Sequence, residues 1–391
     1  MISAEVQSGF LCPQLRKIAW TSWRHRTFNN LFVSSRLTEF RFCCNLFNVE
    51  AVAGLLSVMA ELPTFRLQTL DITFPPLEDP FSTTVTTALS SFILRCGSSL
   101  TEISILAHLT DAAIRHIMQL PELTVWETTN GLPDVPGLSP LDTFPKLERL
   151  FLHTAEALNW LPFFKTDAHR TSSNQVTNTP RSRGPYQTLT TIGYEYGGSF
   201  QVDAAFMSPV MLFHGLKILR LKQNCSEDWC GFRLTDDDVG EMVDAFPNLN
   251  TLDLGGICHA DSCQTTVASL LIISTHCEDL KELKIHFRIG NLFRDLHSTQ
   301  NNPRLSGLYQ LPKCGVRKLY LSEAPLRTED DRYYHLVAKE FIKIFPSIDY
   351  ISGERPGWGL VVEGLRKMRG IPGGFPYSRL RDDAGRLLRP L

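Results

Sequence analysis

The sequence predicts an α/β leucine-rich-repeat solenoid, a horseshoe with a parallel β-sheet on its concave face and helices on its convex face. Three observations carry that prediction. One apolar phrase recurs as GLKILRL, PNLNTLDL and EDLKELKI, with aliphatics at its first, fourth and sixth places: Leu216, Leu219, Leu221; Leu249, Leu252, Leu254; Leu280, Leu283, Ile285. The copies begin 33 and 31 residues apart, and a phrase of near-constant period marks a repeat architecture. The segments between copies switch to helical periodicity, and neither a one-sided strand layer nor a one-sided helix layer buries its apolar face until neighbours stack on it.

The same phrase runs along the chain. Its first place falls at Leu15, Leu37, Leu67, Leu100, Leu123, Leu147, Leu189, Leu216, Leu249, Leu280, Val316 and Ile348. That predicts about twelve irregular repeats of roughly 30 residues, slightly longer than the usual unit of this class. Between the strands, 48–62 places Val49, Val52, Leu55, Leu56 and Met59 on one helical stripe, and 82–96 does so with Val85, Ala88, Leu89, Phe92 and Ile93. Helices are also expected over 109–121, 234–247, 261–280, 330–346 and 360–369. Two of them open alike, with Thr110 or Thr235 followed by Asp, which suits an N-cap and the positive end of the helix dipole. Pro63, Pro121, Pro247 and Pro346 follow helices and stop them before the next strand phrase.

Residues 1–369 are therefore read as one solenoid with two interruptions. A polar loop near 165–185, rich in Ser, Thr, Asn and Arg, is expected to be disordered, and a second excursion falls near 288–312. Residues 370–391 are expected to form a flexible basic tail.

Composition excludes several classes of function. The chain has 391 residues, 43% hydrophobic and 20% charged, with a formal net charge of −2. Such balance gives no global bias towards nucleic acid or a membrane surface, and neither is expected as a partner. The longest apolar run, 267–274, is too short to span a bilayer, and the amino terminus has no basic-then-apolar signal. Ten cysteines, several inside apolar phrases (Cys43, Cys44, Cys96, Cys277), read as free thiols in a reducing compartment, cytoplasm or nucleus.

Catalytic signatures are missing. The sequence has no GxSxG, no HExxH and no Walker phosphate loop, and its histidines stand without a partnered nucleophile. A binding scaffold rather than an enzyme is expected, with no cofactor. The run Asp236, Asp237, Asp238 suits capping of a helix better than a cation site. Cys225, Cys230, Cys258, His259 and Cys263 are of the types that hold zinc; a cysteine after a repeat strand is also a small buried turn residue, and the sequence leaves both readings open.

Alternation along each strand assigns a concave surface. The outward residues expected to contact a protein partner are Arg149, Phe151 and His153, then Arg220, Lys222, Lys284, His286, Lys318 and Tyr320. Acids gather on the amino-terminal rows and bases on the carboxy-terminal ones, so an acidic or phosphorylated partner is expected to meet the latter.

Phrases such as FPNLNTLDL, FPKLERLFL and CEDLKELKI, with helix starts LTDDDV and LTDAAI, resemble the leucine-rich half of fungal F-box proteins, over residues 10 to about 369. The resemblance implies a repeat array that holds a substrate for a cullin ubiquitin ligase, the F-box itself docking on the ligase's adaptor subunit. No F-box-like module precedes the first phrase in this sequence, so adaptor binding is expected only if an F-box lies outside this chain. The alternative is a stand-alone repeat protein that binds or inhibits a partner, unconnected to ubiquitination.

Overall fold

Strand follows turn by a fixed rule in this protein. A computed structural model describes residues 12, 14–20, 34, 36–43, 49–61, 66–74, 81–96, 98–131, 143–154, 188–196, 201–223, 231–255, 264–285, 314–321, 331–353 and 358–370. The expected loop near 165–185, the excursion near 288–312 and the tail beyond Gly370 lie outside those residues. The chain divides into two compact units, Met1–Tyr196 with Leu212–Leu216, and Gly197–Met211 with Lys217–Leu391.

The first unit contains strands β1 (Lys17–Trp20), β2 (Glu39–Cys43), β3 (Thr69–Thr73), β4 (Glu102–Leu106), β5 (Val125–Thr128), β6 (Arg149–Leu152) and β7 (Thr191–Tyr196), with helices α1 (Val49–Ala60), α2 (Phe81–Arg95) and α3 (Asp111–Met118). Its strands pair in chain order and all in parallel. The second unit holds β8 (Ile218–Gln223), β9 (Thr251–Leu254), β10 (Glu282–Ile285), β11 (Lys318–Leu321) and β12 (Tyr350–Gly353). Its helices are α4 (Ala204–Val210), α5 (Asp236–Ala245), α6 (Val267–His276), α7 (Asp331–Ile344) and α8 (Trp358–Arg369). These strands too are parallel and sequential. Each of the twelve strands begins two residues after the first aliphatic of its phrase.

Why the strand starts there is visible in the backbone. Leu147, Leu216, Leu249, Leu280 and Ile348 each donate an N–H to the carbonyl three residues earlier, on Phe144, Phe213, Phe246, Cys277 and Phe345. The result is a tight turn between buried apolar ends, and Pro145, Pro247 and Pro346 sit at its second place, where a fixed φ favours it. The residue after the aliphatic then bonds to its equivalent in the preceding repeat: Gln68 N to Thr38 O, Thr101 to Gln68, Thr124 to Thr101, Glu148 to Thr124, Thr190 to Glu148. The second unit repeats the ladder through Lys217, Asn250, Lys281, Arg317 and Asp349. Where that residue is threonine, its hydroxyl adds a bond to the same carbonyl, as at Thr38, Thr101, Thr124 and Thr190.

All three aliphatics of the phrase enter the core. Leu37, Leu100, Leu123, Leu147, Leu216, Leu249 and Leu280 at the first place are as buried as Leu70, Leu219 and Leu252 at the fourth. Leu15, on the first rung, is only partly covered. The helices complete this core with narrow stripes: Ala113, Ile114, Ile117 and Met118 in α3, and Val239, Met242 and Val243 in α5. Neighbouring helices pack on each other within each unit, α1 on α2, α5 on α6 and α7 on α8. The helix of 261–280 is shorter than its apolar pattern, because Thr266 caps it only at Val267. Helix α4, with Pro209 in its last turn, has no periodic sequence signal.

The threonine caps form as expected. Thr110 accepts from Ala113 N, and Thr235 accepts from Asp238 N while the Asp238 carboxylate takes Thr235 N, a reciprocal capping box. Asp236 does something different. Its carboxylate crosses to the next repeat and accepts from Thr266 N at 2.8 Å, Thr266 Oγ1 at 2.7 Å and the backbone and hydroxyl of Ser269. One carboxylate thus holds the first turn of the following helix. Among the described cysteines, Cys96, Cys277 and Cys314 are buried and free, and burial pushes each thiol up to about 12. No helix of the described residues is long and apolar enough to cross a membrane.

Candidate functional site

Parallel register sets the polar face of each sheet in straight rows. In the first unit the middle row reads Arg41, Asp71, Ser104, Glu127, Phe151, Gly193 across β2 to β7. Neighbours in such a row stand about 4.8 Å apart, so each charge feels the next. In the row beside it Glu39 pairs with Lys17 at 2.6 Å and Glu102 with Arg149 at 3.5 Å, and Glu39 also reaches Arg41 of the middle row at 2.9 Å. All of these side chains but Glu39 are well exposed, so such pairs orient groups more than they stabilise the fold.

The middle row is the less solvated one. Ser104 lies in register between Asp71 and Glu127, with its hydroxyl beside both carboxylates. Burial, then the charge of Glu127, pushes the Asp71 carboxyl above the usual aspartate range, against the pull of Arg41 and Ser104. Glu127 goes the other way. His153 bonds its carboxylate at 2.7 Å and, with Ser104, holds the carboxyl below the usual glutamate range despite burial.

The signs of their contributions to stability follow. Glu127, depressed in the fold, contributes stability that is present above its unfolded value of about 4.3 and is lost as pH falls through the folded value. Ionised Asp71, raised in the fold, costs stability at neutral pH, and protonation relieves that cost as pH falls. Asp71→Asn is therefore expected to raise stability at neutral pH by about 0.5 kcal/mol after solvent screening. Glu127→Gln should lower it by about 1 kcal/mol. Urea titrations at neutral and acidic pH check both, since each difference should shrink towards low pH.

The predicted contact residues of this unit come together on β6 and just beyond it. Arg149 is tied to Glu102, His153 to Glu127, and the Phe151 ring lies where a side chain at residue 193 would stand. A Cβ on Gly193 would overlap that ring. The glycine is what lets the ring lie along the sheet, so Gly193→Ala should displace Phe151.

In the second unit the middle row reads Arg220, Asp253, Lys284, Tyr320, Ser352. Asp253 has a cation in register on each side, and Lys222 lies two residues further along β8. Burial raises the Asp253 carboxyl above the usual range; Lys284, the N–H of Gly255 at 3.0 Å, Lys222 and Arg220 oppose the rise. The Lys284 chain folds down over Gly255, where an added Cβ would overlap its Cγ, Cδ and Cε. Lys318 lies exposed next in register to Glu282. Tyr320 packs on Tyr350 with ring centroids 5.6 Å apart and planes tilted by 55°, and its hydroxyl is pushed above the usual tyrosine range by burial first and then by the charge of Glu282.

The structure thus groups Arg149, Phe151 and His153 on one face, and Arg220, Lys222, Lys284, Lys318 and Tyr320 on another. His286 lies outside the described residues, as do Cys225, Cys230, Cys258, His259 and Cys263. Glu127 is the residue that the sequence reading missed. Its phrase, PELTVWE, carries Trp126 where other copies carry leucine, which hides the alternation that would place Glu127 outward. No protein-family model matches this chain, and no curated protein matches it in sequence.

Proposed function

We propose that this chain is a protein-interaction scaffold of the leucine-rich-repeat type, a horseshoe whose concave sheet face holds a protein partner. One observation carries the reading: parallel strands are built by repetition in both units, and their outward rows carry charged and aromatic side chains, among them Lys17 at 74% and Arg149 at 48% exposure. A repeat array of this kind supplies an extended surface rather than a pocket, and specificity comes from the pattern of groups along it.

Within that reading, the F-box resemblance of the strand phrases and LTD helix starts favours a role as the substrate-recognition array of an F-box-type ubiquitin ligase component. The alternative is a stand-alone binder or inhibitor. A pull-down of the full-length gene product with the ligase's adaptor subunit separates them, since only the first retains the adaptor. The binding surface is tested by charge reversal at Lys222, Lys284 and Lys318. Loss of about ten-fold in affinity for a captured partner, steeper at low ionic strength, is the expected result. Unchanged affinity would move the partner off this face.

A further inference from the structure

The described outward positions of β8–β11 hold four cations, Arg220, Lys222, Lys284 and Lys318, and two carboxylates, Asp253 and Glu282. Arg220 and Lys284 flank Asp253 in register, and Lys222 lies two residues further along β8. The face is therefore net positive, but its centre carries a negative charge of its own. The cations are also spread over three strands, in steps of about 4.8 Å. A single dianion such as phosphate is usually held by convergent donors, backbone N–H groups or arginine forks. Among the described residues the backbone donor Gly255 N is taken by Asp253, and only one of the four cations is an arginine. Dispersed single charges suit a chain of single charges.

We infer that the β8–β11 face docks a carboxylate-rich segment of a protein partner, with Asp253 as a built-in competitor for the cations and Gly255 as the clearance that brings Lys284 down among them. This rests on the reading of the sheet face as a partner-binding surface and names the chemistry that surface takes. Asp253 sits in register between Arg220 and Lys284, so it occupies the ground an incoming carboxylate would seek. Its removal should strengthen acidic binding, the reverse of what loss of a structural residue would do.

The test is fluorescence anisotropy of labelled hexaglutamate with the full chain, beside hexalysine and a phosphoserine peptide of equal net charge. Hexaglutamate should bind and hexalysine should not. Arg220→Met and Lys284→Met should each weaken hexaglutamate about five-fold, and Gly255→Ala about three-fold, while Asp253→Asn should tighten it about three-fold. Circular dichroism confirms that each variant is folded. Unchanged or weaker binding by a folded Asp253→Asn overturns the inference, as does a preference of more than about ten-fold for the phosphopeptide. Hexaglutamate failing to bind a chain whose captured partner still depends on Lys284 overturns the acidic-segment assignment and leaves the scaffold reading standing. If the captured partner is indifferent to Lys284 as well, both fall.

Discussion

Replacing Trp126 with alanine is expected to lower the unfolding free energy of the first unit by about 3–5 kcal/mol. The indole is fully buried on β5, at a position that Leu252 fills in the later copies, and it packs on Phe144 at a ring distance of 4.9 Å. Phe144 holds a left-handed backbone with φ of 49° and donates its N–H to Met118 O at 2.8 Å. A bulky residue in that conformation costs about 1 kcal/mol or more, which the surrounding packing has to offset. Trp126→Ala removes that packing and leaves a cavity beneath the strained turn. The consequence should reach β6, because that turn delivers Leu147 and then Arg149 to the sheet. Urea unfolding followed by near-ultraviolet circular dichroism measures the loss. Trp126→Phe, which keeps a ring against Phe144, should recover more than half of it. Equal losses for alanine and phenylalanine would show that the ring contact is not what holds the turn.

The second large effect is expected at Asp236. Its carboxylate satisfies backbone N–H groups of Thr266 and Ser269 and both of their hydroxyls. Hydrogen bonds to a carboxylate are about twice as strong as neutral ones, and unsatisfied donors at a part-buried helix start each cost about 1–3 kcal/mol. Asp236→Ala should therefore destabilise the second unit by about 3 kcal/mol. The Thr266 hydroxyl still caps Ala268 N at 3.1 Å, which limits the damage to the first turn. Hydrogen exchange gives the sharper readout: amides at the start of α6 should lose protection while those of β9 and β10 keep theirs. Asp237→Ala, on the same helix with an exposed side chain, should change little. If the two alanine variants behave alike, the link from repeat to repeat is not carried by Asp236.

Both predictions come from residues whose type was legible and whose partners were not. The strand phrase marked the place of each of the twelve strands, because its three aliphatics are fixed by one local geometry: a turn, a backbone bond to the previous rung, and an alternating strand. Helix starts at Thr110 and Thr235 were legible for the same reason, since a cap acts within three residues. Asp236 reads as one of three acids in a first turn, yet it reaches 30 residues forward to a turn of the next repeat. Nothing in local spacing distinguishes it from Asp237. The expected basic surface shows the same limit. Arg220, Lys222 and Lys284 were legible as outward cations, but their place around Asp253 depends on the register of β8, β9 and β10, and on a glycine that gives Lys284 room.

By itself the sequence determined the period, the strand positions, the alternation of core and surface, and the residue types offered outward. These follow from interactions within a few bonds of one another, repeated down the chain. Tertiary structure decided which outward groups meet. Charges that sit some 30 residues apart in sequence become neighbours about 4.8 Å apart across a parallel sheet. Burial and in-register neighbours together then set how each ionisable group behaves: burial first and Glu127 second raise Asp71, His153 lowers Glu127, and burial raises Asp253 against the cations beside it.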